Sequence, residues 1–178
     1  CKTEGWQMST QDCFGRCGLR VPGVFLFVAL GLIVLLAGAG ASGQTLTVTR
    51  EVLSGVDGDG WLIPGTTSME FQVTIELEGD ASALTAVGYT EELPVEWSFA
   101  EQTASTPAAI TPDAGDTGEL FWVWIAVPSF PVIINYRAAL PGDETGPVDV
   151  SGYASYRTGG PQLESNTAAT TIQLEPAA

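Results

Sequence analysis

The sequence predicts an all-β protein, an antiparallel β-sandwich of immunoglobulin-like or related Greek-key order preceded by an N-terminal hydrophobic helix. Three observations carry that expectation. Apolar and polar residues alternate with a period of two in several segments, clusters of Asp, Gly and Pro separate those segments, and no helical period follows the N-terminal apolar run. The 21 Gly and 11 Pro suit many short strands joined by tight turns.

Residues 24–41 are almost purely apolar, follow Arg16 and Arg20, and end in the small-residue run Ala37-Gly38-Ala39-Gly40-Ala41-Ser42. That order is the one a secretory signal takes, with cleavage after Ala41, and an uncleaved membrane anchor is the rival because the run approaches the length needed to span a bilayer. Under both readings the arginines stay on the inner side and the body is exported. The expected organisation is therefore a signal peptide or anchor over residues 1–41, with Met8 as an alternative start, and one domain over residues 42–178.

Within the body, residues 68–77 place Met69, Phe71, Val73, Ile75 and Leu77 on one face and polar residues on the other. The same alternation appears in residues 45–50, 132–137, 148–156 and 170–174. Each needs a sheet with one wet face. Turn signals lie between them at Asp57-Gly58-Asp59-Gly60, Pro64-Gly65, Glu78-Gly79-Asp80, Pro141-Gly142-Asp143 and Gly159-Gly160-Pro161. About seven to nine strands without intervening helices make two packed antiparallel sheets, with a jelly roll as the structural rival.

Residues 120–125, Leu-Phe-Trp-Val-Trp-Ile, are apolar on both faces and break the alternation. One face belongs in the core; the other needs a cover, for which the loop of residues 126–131 is the candidate within the chain. Uncovered, it would serve a partner protein or a sugar. Trp122, Trp124, Trp61 and Phe130 are accordingly the candidate contacts for a protein or polysaccharide at the cell surface.

The strand order also resembles the Ig-like repeat modules of large bacterial surface and secreted proteins. The matching residues are Leu46 to Glu51, then Pro64-Gly65-Thr66, then residues 83–92 leading into Leu93-Pro94-Val95-Glu96-Trp97, then residues 134–141 and 146–152. The resemblance implies a β-sandwich acting as an extracellular spacer, adhesion or binding unit, and it places Trp97 in the core. Glu96 departs from it, standing where such modules usually carry Gly.

The chain has no His, and its three cysteines, Cys1, Cys13 and Cys17, all precede the body, which also lacks Lys. Thiol, imidazole and amine nucleophiles or bases are thereby absent from the body, and so are the usual zinc ligands. Carboxylates alone remain as acid–base candidates, and Glu91, Glu92, Glu96 and Glu119 would need to pair across a cleft to cleave a glycosidic bond. No catalytic, cofactor or metal site is expected. Asp57-Gly58-Asp59-Gly60 begins like a calcium loop, but Trp61 stands where an oxygen ligand belongs, so an ordinary Asp-Gly turn is the reading. The formal charge of −15 repels phosphate backbones, which excludes sequence-independent nucleic-acid binding, and leaves membrane contact to the N-terminal segment alone, if it is uncleaved.

Overall fold

A computed structural model describes residues 43–142 and 147–173; the expected signal or anchor segment and the last five residues lie outside them. The described chain forms β1 (Thr45–Ser54), β2 (Ser68–Glu78), β3 (Ala86–Glu92), β4 (Ser98–Ser105), β5 (Glu119–Trp124), β6 (Val132–Ala139), β7 (Val148–Arg157), β8 (Leu163–Glu164) and β9 (Ala168–Ile172). A short 3-10 turn at Ala81–Ala83, capped by the Asp80 carboxylate, precedes β3.

All pairings between these strands are antiparallel, in two sheets. The first sheet has the order β1-β2-β6-β4; in the second, β3 lies between β5 and β7, and β8 and β9 share the far edge of β7. Alternation dictates which residues meet between the sheets. Met69, Phe71, Val73 and Ile75 of β2 face inward beside Val132, Ile134, Tyr136 and Ala138 of β6, and Val87 and Tyr89 of β3 meet them from the second sheet. Leu46 and Val48 of β1 and Leu120, Trp122 and Trp124 of β5 extend the core, and Trp97, Phe99, Val150 and Ile172 also lie in it.

The strand β4 carries two register shifts against β6, between Phe99 and Glu101 and between Gln102 and Ala104. These bulges break its alternation, so the segment reads as irregular in sequence although it pairs along its length. The bulged edge still turns Phe99 inward and brings Gln102 Oε1 within 2.9 Å of the Trp122 indole Nε1, which donates to it.

The turn before Trp97 explains the departure at Glu96. The Trp97 amide donates to the Pro94 carbonyl at 3.1 Å, and Glu96 has φ 72°, so Pro94 to Trp97 form a turn whose third residue lies in the region glycine favours. A glutamate there holds a strained backbone. Glu96→Gly is expected to raise unfolding free energy by about 1 kcal/mol, and the melting temperature by roughly 2–4 °C, net of the extra freedom glycine gains when unfolded. A fall in melting temperature would show that the Glu96 side chain contributes more than its backbone costs.

Candidate functional site

The most unusual chemistry lies inside the sandwich. Arg50 of β1 and Glu91 of β3 form an ion pair at 2.5 Å, with side chains 1% and 0% exposed. The guanidinium also donates to the carbonyls of Val150 (2.9 Å) and Ala168 (2.8 Å) and to the Tyr89 hydroxyl (3.2 Å). Glu91 accepts from the Tyr136 hydroxyl at 2.6 Å and from the Tyr89 hydroxyl. One arginine thus joins the first strand to β3, β7 and β9.

Parity in the sequence puts both charges there. Arg50 is in phase with Leu46 and Val48, and Glu91 with Val87 and Tyr89, so each stands on its strand's inward face. That phase was the available signal, although a charged residue beside alternating polar ones reads as part of the wet face. Burial opposes the charge on Arg50, yet Glu91 and the two tyrosines hold its pKa above the ordinary value. Burial likewise pushes Glu91 up, against Arg50 and the two phenols. Tyr89 and Tyr136 are raised well above the usual phenol value by burial and by Glu91. The phenols therefore stay protonated and donate, and both Glu91 oxygens act as acceptors, as a carboxylate requires.

Around this network the aromatic rings pack closely. Tyr136 stacks on Phe71 at 5.3 Å and meets Trp122 at 5.6 Å, and Trp122 lies 5.8 Å from Tyr89. The backbone must also come close: a side-chain carbon at Gly152 would lie 2.8 Å from the Thr90 carbonyl and would collide with Tyr89 Oη and Glu91 Oε2. Gly152→Ala is expected to cost about 1–3 kcal/mol by overpacking the network, read as an earlier urea midpoint. An unchanged midpoint would mean that β7 can move away from β3.

A second side chain fastens β1. The Asn166 amide accepts from the Val48 N–H at 2.8 Å and donates to the Val48 carbonyl at 2.9 Å, giving that edge residue the two bonds a neighbouring strand would supply. Tyr156 donates to the Gln44 carbonyl at 3.0 Å.

The candidate contact residues are dispersed. Trp122 and Trp124 are buried, which corrects their place among the candidate contacts: their positions in β5 face inward, where Trp122 walls the Arg50–Glu91 network. Trp61 is 37% exposed on the loop after β1, and Phe130 is partly buried against the core. The loop of residues 126–131 does not close over the outer face of β5, because Val127 and Phe130 are drawn to the core. Phe121 on that outer face is left 47% exposed. Asp57 Oδ1 accepts from the amides of Asp59 and Trp61, both at 2.9 Å, so this carboxylate holds the turn together. Of the glutamates weighed as acid–base groups, Glu91 is enclosed, Glu96 sits on its turn, and Glu92 and Glu119 are neighbours on an open sheet face.

No family model matches the chain, and no curated protein matches it in sequence. Among solved structures, it is similar to BcpA, the major pilin subunit of Bacillus cereus, with TM-score 0.53 and 7% identity over 75% of this chain and 40% of that one. It is also similar to the 35 kDa C-terminal fragment of the major pilin GBS80 of Streptococcus agalactiae, with TM-score 0.50 and 6% identity over 72% of this chain and 55% of that fragment. The likeness is one of fold, an all-β Ig-like sandwich, and the chain spans about half or less of each neighbour's length.

Proposed function

We propose that this chain is a non-enzymatic β-sandwich module that works at the bacterial surface in adhesion, assembly or spacing, exported by its N-terminal apolar segment. The observation that carries this reading is the sandwich shared with two major pilins, at a sequence identity that leaves fold as the common ground. The interior supports it. Among the described residues the one fully buried carboxylate, Glu91, is consumed by Arg50, Tyr89 and Tyr136, so it reaches no substrate and serves to join strands. The carbohydrate-binding alternative keeps Trp61 but loses the platform that Trp122 and Trp124 would have supplied.

The test is made on intact cells. Proteinase K should remove the module from the outside while cytoplasmic markers persist, and deletion should weaken attachment or surface assembly. Full protection from protease in unbroken cells would overturn the reading. So would a hydrolytic activity lost on Glu91→Gln in protein that remains folded.

A further inference from the structure

The outer face of the second sheet has a definite shape, fixed by register. Gly88 of β3 lies between Val123 of β5 and Ser155 of β7, and Thr90 lies between Phe121 and Tyr153. Strand β3 thus forms a low floor between two higher walls. At Gly88 a side-chain carbon would already stand 3.2 Å from Ser155 Oγ, so the absence of one keeps the floor open. The β5 wall is apolar and wet: Phe121 is exposed, Ile125 is 84% exposed where the chain leaves the strand, and Ile110 is exposed beside Val123.

The two ends of this trench differ in charge. At one end Glu92 and Glu119 stand directly opposite each other on neighbouring strands, a like-charge pair that a cation would relieve. At the other end Arg157 stands opposite Ala86, with Glu164 on the next strand opposite Ser155. Among the described residues the other two arginines are spoken for, Arg50 by Glu91 and Arg137 by Glu70 and Glu101, and Arg157 makes no ion pair. The seven residues of β3 set the ends roughly 20 Å apart, the length of an extended peptide of about seven residues.

We propose that this trench docks an extended peptide segment of a partner protein, apolar in its middle, with a basic group that meets Glu92 and Glu119 and a carboxylate that meets Arg157. The proposal deepens the reading of the chain as an adhesion or assembly module and rests on it. Apolar contact with Phe121 and Val123 supplies the attraction, and the two charged ends fix the direction in which the segment lies.

Four fluorescein-labelled heptapeptides with the same Val/Thr interior test it by fluorescence anisotropy at low salt: Lys at one end and Glu at the other, Lys at both, Glu at both, and Gln at both. The Lys/Glu peptide should bind the wild-type protein at least about tenfold more tightly than the other three. Arg157→Glu, at an exposed position that leaves the melting temperature unchanged, should transfer the preference to the peptide with Lys at both ends. Phe121→Ser, also exposed, should weaken all binding about tenfold. Equal binding of all four peptides, no binding up to about 1 mM, or an unchanged preference in Arg157→Glu would overturn the trench. Binding of a neutral polysaccharide that Phe121→Ser abolishes, without peptide binding, would also overturn it in favour of a sugar. These failures leave the surface reading standing if intact cells still expose the module to protease, whereas a protected, intracellular module would sink that reading even with the peptide bound.

Discussion

Arg50→Met is expected to lower the unfolding free energy by about 3–5 kcal/mol, measured by urea denaturation at neutral pH, because it leaves the Glu91 carboxylate buried without its countercharge. The loss has a second part. Val150 and Ala168 lose the donor to their carbonyls, so the ties from β1 to β7 and β9 go together. Adding Glu91→Gln to Arg50→Met removes the stranded charge and should restore part of the stability, a coupling that a double-mutant cycle would register. The deficit should also depend on pH in a fixed sense. Burial already raises Glu91, and without Arg50 nothing of opposite charge holds it down. A folded pKa above the unfolded value of about 4.3 contributes stability that is present below that value and lost as pH rises through the folded pKa. The Arg50→Met deficit is thus largest at about pH 7–8 and narrows toward about pH 4.5. An equal deficit across that range would contradict an ionised pair in the native protein.

Trp97→Ala should cost a similar amount, about 3–5 kcal/mol. The indole is fully buried and directly follows the strained turn at Glu96, so neighbouring backbone has little freedom to collapse into the space left behind. The urea midpoint should fall with little change in slope, since the same surface is exposed on unfolding. A loss below about 1 kcal/mol would mean that the sandwich closes over the gap, and that the turn is less rigid than its geometry implies.

How far the fold was legible depended on whether each strand had one wet face. In β2 alternation ran unbroken, and in β6 and β7 it held apart from outward apolar residues such as Ile133 and Tyr153; the structure places Phe71, Tyr136 and Val150 inward as that pattern requires. The edge strand β4 was hidden because two bulges shift the phase of its side chains. In β5 the sequence gives no sign of which face is inner, and packing settles it: Trp122 fits among Tyr89, Phe99 and Tyr136, which puts Phe121 outside. The buried network was the least legible part. Arg50 and Glu91 are separated by 41 residues, and each is affordable in the core only because the other is there. Single-strand patterns carry no information about such a pairing, whereas Glu96 announced itself by occupying a glycine's place in a resembling motif.

The side-chain ties along β1 also decide how the module would bear tension. Asn166 meets Val48 and Arg50 meets the Ala168 carbonyl, so both numbers advance by two together and the segment entering β9 runs parallel to β1. A pull between Gln44 and Ile172 therefore draws these neighbouring segments lengthwise past each other. The Arg50 contacts and the Asn166 pair are stretched at the same moment and share the load as a shear joint; they do not open one after another like a zipper.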